Sequence, residues 1–179
     1  PVTIEQLMGA FQDKPLAFTP GEQFQFTNAN YVVLGKIIDS MTRWSYEDQL
    51  RYKVLKTCGM YNSGFDFTDV FDNNKAKGYC TIDKDTATEA PIMDSSLTYA
   101  GSGLYTTATD LYKWHHSLLA HTLLPKDWQE IAYTPYKNHT AFGWEVETLF
   151  QRKFLQQSGS VPGFSSLITR QENDDVVIV

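Results

Sequence analysis

The feature that most restricts how this chain can fold is a change of apolar period near residue 138. Before it, apolar residues recur at helical spacing in separate blocks. Tyr31, Leu34, Ile37, Ile38 and Met41 share one face of a helix that starts at or near Asn28, and Leu111, Trp114, His115 and Leu118 face inward from another over about 108–119. After it, "TAFGWEVETL" alternates like a strand, and "RKFLQQSG", "SSLITR" and "DVVIV" follow, separated by Gly, Pro and Asn-Asp. Strands divided by such short turns pair with their sequence neighbours, so an antiparallel meander is expected. The class is α+β: a helical and loop part over about 1–138, then the start of an antiparallel sheet over about 139–179.

Local signals add three shorter helices. "TIEQLMGAFQ" puts Ile4, Leu7, Met8 and Phe11 on one face behind a Thr3 cap. Ser45 and Asp48 make an S-x-x-D start, Tyr46, Leu50, Val54 and Leu55 follow, and Gly59 stops that helix. Pro125 opens the last, through Trp128 and Ile131. Pro15 and Pro20-Gly21 force a loop before Asn28, and 62–100 is a long stretch rich in Asp, Asn, Thr and Gly, the kind of irregular chain that often shapes a binding cleft. The sequence stops at Val176-Val177-Ile178-Val179, inside an apolar strand, which reads as an excerpt from a longer domain.

Composition removes several functions. A net charge of −6 over 179 residues with no basic stripe argues against a nucleic-acid partner. No apolar run reaches the ~18 residues a spanning helix needs. His115 and His116 are adjacent and point to different faces of their helix, and His121 and His139 complete no H-x-x-x-H, so neither a metal nor another cofactor is expected. Cys58 and Cys80 form no C-x-x-C. One disulfide is geometrically open to them, but two unpaired thiols are favoured, because a chain with 42 % apolar residues needs no staple.

Five blocks in order carry a resemblance: "LAFTPGEQFQFTNANYVVLGKIID", "TCGM", "GSGLYTTATDLYKW", "FGW" and "SGSVPGFSS". Together they resemble the serine β-lactamase and penicillin-binding protein superfamily, in the branch of class C β-lactamases, DD-carboxypeptidases and related esterases, across essentially the whole chain. The resemblance implies a partial β-lactamase/transpeptidase-like domain over 1–179. It also implies an acyl-enzyme reaction at an amide, ester or β-lactam carbonyl. Three elements around one cleft would perform it: an S-x-x-K nucleophile, a Y-x-N or S-x-N element, and a K-T-G or H-x-G strand.

Residue by residue, the chain departs from each. No serine opens an S-x-x-K, and Thr81-Ile82-Asp83-Lys84 fits T-x-x-K only formally, so the nucleophile is expected outside this chain. The second element reads Phe26-Thr27-Asn28: Asn28 matches the substrate-binding amide, but Phe26 stands at the tyrosine position without a hydroxyl to move a proton. The third aligns Gln157-Ser158-Gly159 with H-x-G or K-T-G. Gln157 can hydrogen-bond but carries no charge, while Gly159 keeps room for a close substrate.

Bland readings stand beside these. Phe26 reads equally as a packed core aromatic, Gln157–Gly159 as an ordinary edge-strand turn, and Tyr99 and Tyr105 as packing residues, while Tyr79 is a candidate for the cleft rim. The expected partner is a small-molecule or peptide substrate, a peptidoglycan-like peptide, β-lactam or ester, and the resemblance implies a periplasmic or membrane-associated setting. The alternative is a catalytically weakened or dead binding or regulatory module on the same fold, since two departures, at Phe26 and Gln157, coincide.

Overall fold

Among the described residues, hydroxyl side chains begin four of the five α-helices. The computed structural model describes residues 1–65, 67, 70 and 75–179. In it, α1 (Ile4–Gly9) starts at Thr3, whose side chain accepts from the Gln6 N–H while the Gln6 side chain accepts from the Thr3 N–H, a reciprocal capping box. Thr27 caps α2 (Asn28–Met41), Ser45 caps α3 (Tyr46–Gln49) and Thr107 caps α4 (Ala108–Leu119), each satisfying an N–H the first turn leaves unpaired. Pro125 precedes α5 (Lys126–Ala132). The third helix widens after Gln49 into a π-helical turn, Leu50–Leu55, and the chain leaves it at Gly59, which takes φ +69°.

The residues fall into two compact units, Pro1–Leu50 with Gly64–Tyr105 and Val161–Gly163, and Arg51–Ser63 with Thr106–Ser160 and Phe164–Val179. In the first, α2 buries Val32 and Gly35. Among its described residues, the long loop region carries a short antiparallel hairpin, β1 (Tyr79–Ile82) and β2 (Ala87–Glu89), and two 3₁₀ turns, Ser95–Leu97 and Tyr99–Gly101. The "DNNK" stretch of that region lies mostly outside the described residues.

The second unit holds α4, α5 and a four-stranded sheet in the order β3 (Glu145–Leu149), β4 (Arg152–Val161), β5 (Phe164–Gln171), β6 (Val176–Ile178). Sequence order equals spatial order, as the meander reading requires. The first predicted strand is shorter than its alternating pattern, because Gly143 at φ +77° bends the chain and pairing with β4 begins only at Glu145. Val146 opposes Leu155 in register, and these two with Leu118, Tyr133, Trp144 and Ile168 form the buried core, which Leu111 and Trp114 of α4 cover. The Trp114 and Trp144 rings stack 5.4 Å apart.

Candidate functional site

Phe26, Thr27 and Asn28 sit where the Pro20-Gly21 loop enters α2. The Thr27 hydroxyl accepts the Ala29 N–H at 3.3 Å, which places Asn28 as the first helical residue with its amide exposed. Phe26 is not a core aromatic: 56 % of it is exposed, and its ring meets Tyr31 at 5.9 Å in a tilted pair. The packed-core expectation fails because the loop delivers Phe26 to the surface one turn before the apolar face of α2 begins.

Close backbone approach sets Asn28 in place. A Cβ on Gly101 would lie 3.1 Å from the Asn28 carbonyl oxygen and 3.2 Å from its Cβ, so any larger residue in the 3₁₀ turn would have to push Asn28 back by a few tenths of an ångström. The Tyr99 hydroxyl of the same turn donates to Asp39 Oδ2 at 2.5 Å, while Asp39 Oδ1 accepts the Tyr46 N–H. Burial and the Asp39 carboxylate push the Tyr99 phenol far above the ordinary tyrosine range. Tyr99 therefore does more than the packing expected of it.

Gln157, Ser158 and Gly159 belong to the second unit, within β4. The edge-turn expectation is corrected: the turn comes later, at Pro162-Gly163, and β4 has neighbours on both sides. The register of β3 nevertheless stops at Glu145 opposite Gln156, so β4 runs on past the start of β3 through Gln157–Val161. Gln157 is exposed and its Nε2 donates to the Ser158 carbonyl at 3.0 Å. A Cβ on Gly159 would lie 2.9 Å from Ser166 Oγ, a hydroxyl on β5 that also approaches the Gly159 carbonyl at 3.4 Å. Thr81 is an exposed β1 residue paired across the hairpin with Thr88, and Tyr79, 36 % exposed, is on the same strand.

Two buried polar clusters escaped the sequence reading, and both lie in the second unit. Asp110, fully buried at N3 of α4, accepts from the Asn62 N–H (2.7 Å), the Ser63 hydroxyl (2.9 Å) and Lys113 Nζ (2.7 Å). Since Ser63 gives its proton to Asp110, Thr106 donates to Ser63 at 2.7 Å. Burial raises the Asp110 pKa, but Lys113, Ser63 and the Asn62 N–H outweigh it and hold the carboxyl below its ordinary value.

The other cluster centres on Arg170, which shares the inner face of β5 with Ile168 and is fully buried. Its Nε donates to His115 Nδ1 (2.9 Å), Nη1 to the Tyr133 hydroxyl (2.9 Å) and Nη2 to Glu172 (3.4 Å). Nδ1 being an acceptor, the His115 proton sits on Nε2 and points at Asp175 Oδ1, 2.9 Å away. Burial first, and Arg170 and His116 with it, hold the His115 pKa below 6.5 against the pull of Asp175. Lys113 stands three residues from Asp110, but Asn62 and Ser63 are 48 and 47 positions away from it, and Arg170 and Asp175 are 55 and 60 positions from His115, so spacing carried no signal for those contacts.

Among the described residues, no three His, Cys, Asp or Glu side chains converge as metal ligands, no helix is long and apolar enough to cross a membrane, and both cysteines are free, Cys58 buried and Cys80 exposed.

A family model described as Beta-lactamase matches residues 1–179. The serine beta-lactamase-like protein LACTB, mitochondrial, of Mus musculus is 28 % identical over 109 residues, which is 61 % of this chain and 20 % of that protein. The octameric penicillin-binding protein homologue from Pyrococcus abyssi superposes with a TM-score of 0.84 at 26 % identity, over 98 % of this chain and 42 % of that one. The D-amino acid amidase from Ochrobactrum anthropi SV3 complexed with D-phenylalanine shares the fold, with a TM-score of 0.76 at 19 % identity over 97 % of this chain and 55 % of its own. The chain thus spans between about a fifth and just over half the length of these relatives. Five ordered sequence blocks, helices followed by an antiparallel meander and a match from the first residue to the last converge: the chain belongs to the Beta-lactamase family, within the superfamily of serine β-lactamases and penicillin-binding proteins.

Proposed function

We propose that these residues are part of a serine hydrolase domain of the β-lactamase, DD-carboxypeptidase or esterase type, whose nucleophilic serine lies outside the 179 residues. The observation that carries the reading is the Phe26-Thr27-Asn28 element at the mouth of α2 in a chain matched throughout by the family model. The family is one of serine hydrolases, and relatives of this fold include an amidase complexed with D-phenylalanine. On this reading Asn28 hydrogen-bonds the substrate amide with an exposed carboxamide that can both donate and accept. The Gln157–Gly159 segment of β4 flanks the acyl carbonyl, and its overhang past β3 supplies main-chain N–H and C=O groups of the kind that hold an extended substrate or a developing oxyanion.

Substrates are small amides, esters, β-lactams or peptidoglycan-like peptides. The setting is periplasmic or at the outer face of the cytoplasmic membrane, although one relative is mitochondrial. Phe26 contributes shape and no proton transfer. Alone, the chain forms no acyl-enzyme.

A second reading, a binding or regulatory module that has given up turnover, draws on Phe26 and Gln157 together. Where general acid–base help is typically worth 10²–10⁴-fold, a ring without its hydroxyl removes that help entirely.

Intact-mass spectrometry after incubation with a β-lactam and, separately, a fluorophosphonate tests the first reading. No adduct is expected, and a stoichiometric adduct would place a working nucleophile inside these residues and overturn it. On a polypeptide that also carries an S-x-x-K segment, acylation supports the hydrolase. Its absence, restored by Phe26→Tyr, supports the silent module.

A further inference from the structure

We propose that the Tyr99–Gly101 turn is a positioning device for Asn28, with Asp39, Tyr99 and Gly101 as its working residues. The inference rests on the reading of Asn28 as a substrate-binding amide, and all of its parts lie in the first unit.

Positions 28, 35 and 39 of α2 are separated by seven and four residues, which at ~100° per residue puts all three on one narrow stripe of the helix. The turn lies along that stripe and touches it three times. At Asn28, Gly101 abuts the backbone carbonyl and Cβ. In the middle, Gly35 leaves room for Tyr99 and Ala100: a Cβ there would be 2.6 Å from Ala100 Cβ and 2.6 Å from Tyr99 Cε1. At the far end, the Tyr99 hydroxyl donates to Asp39, whose second oxygen accepts the Tyr46 N–H and so is held from α3.

Tyr99 takes φ +42°, a left-handed conformation unusual for a side chain of that size, so its place is imposed by these contacts. The turn is braced from behind as well. Thr98 is buried, its hydroxyl donates to the Ser95 carbonyl, the Gly101 N–H donates to the Thr98 carbonyl, and Gly103, at φ +91°, passes so close that a Cβ would lie 2.4 Å from Thr98 Oγ1.

The need for such a device follows from where Asn28 is. The first residue of a helix has an N–H without an intrahelical partner, and helix ends fray. A fraying end would leave the carboxamide sampling many directions. Seating the Asn28 backbone and Cβ against Gly101, with Asp39 fixing the register of the turn, removes that freedom before any substrate arrives. The same geometry occupies the Tyr99 hydroxyl on Asp39, so Tyr99 does not replace the proton shuttle absent at Phe26.

The test is NMR on the isotopically labelled chain. In Gly101→Ala the Asn28 Cβ and side-chain NH₂ resonances are expected to move, and exchange of the Ala29–Tyr31 amides to accelerate by about tenfold. Tyr99→Phe, which keeps the ring and deletes the anchor, should produce the same changes to a smaller extent. A folded Gly101→Ala variant that lowers the urea midpoint but leaves the Asn28 side-chain signals in place overturns the proposal, since a merely structural turn would behave that way. If Gly101→Ala does not fold, Tyr99→Phe decides by the same criterion.

A titration with N-acetyl-D-alanyl-D-alanine separates the two levels. Variants that move Asn28 alongside a probe that never perturbs it would uphold the positioning and refute the substrate role. A probe that perturbs Asn28 equally in wild type and variants would uphold the role and refute the positioning.

Discussion

Replacing Asp110 by alanine is expected to be among the most damaging single changes in the second unit. The carboxylate is fully buried and receives three hydrogen bonds, at 2.7, 2.9 and 2.7 Å, from the Asn62 N–H, the Ser63 hydroxyl and Lys113. Hydrogen bonds to a charged group contribute about 1.5–3 kcal/mol each, but they are not additive, and removing one partner of a buried pair costs about 3–5 kcal/mol in all. The lower half of that range applies to Lys113, which is partly exposed and keeps the Gly59 carbonyl at 2.9 Å. The upper half reflects Ser63, which is buried and whose proton can then turn only to the Thr106 hydroxyl. At roughly 2–4 °C per kcal/mol for a chain of this size, Tm should fall by about 6–20 °C.

Urea denaturation followed by tryptophan fluorescence measures the loss, with exposed Thr109→Ala, the neighbouring residue on α4, as the control. Asp110→Asn should be less severe, since one oxygen still accepts. The wild type should also weaken in acid. The folded-state pKa of Asp110 is depressed, so its contribution is complete above the unfolded value near 3.8 and is lost as pH falls through the lower folded value. A loss below about 1 kcal/mol in Asp110→Ala would show that the cluster tolerates water or rearranges, and the account of how α4 is tied to 62–63 would be wrong.

His115 titrates in the other accessible window. Its folded pKa lies below 6.5, so the unfolded chain binds the proton more readily and stability is expected to drop as pH falls below 6.5, with Arg170, Asp175 and His116 as the charged or titratable groups facing the ring. His115→Gln should flatten the urea midpoint between pH 7.5 and 5.5, and a variant as pH-sensitive as the parent would assign the effect elsewhere. Cys80 should react with a thiol reagent in the native state as one fast equivalent, while buried Cys58, whose thiol burial pushes up, waits for denaturant. Two fast equivalents would contradict its burial, and none would indicate a disulfide.

Helix starts, the order of elements and the strand meander were legible from residues alone because each rests on local physics. Thr3, Thr27, Ser45 and Thr107 satisfy N–H groups within three positions of themselves, and β3 to β6 pair with their chain neighbours across short turns. The candidate site was legible only as residue types: Phe26, Asn28 and Gln157–Gly159 could be named from the resemblance, yet neither the exposure of Phe26 nor the overhang of β4 past β3 follows from composition or period.

What tertiary structure decided were the partners of polar groups. His115 looked like one more inward residue of α4, and Arg170 like the polar end of a strand, until folding set them 2.9 Å apart across 55 positions of sequence. On α5 the pattern inverts, with Gln129 buried while Trp128 and Ile131 face outward. Hydropathy ranks side chains by their preference for water and is silent on which distant donor will meet which acceptor. Capping and alternation were therefore settled along the chain, whereas the Asp110, Arg170 and Asp39–Tyr99 contacts exist only because packing brought their backbones together.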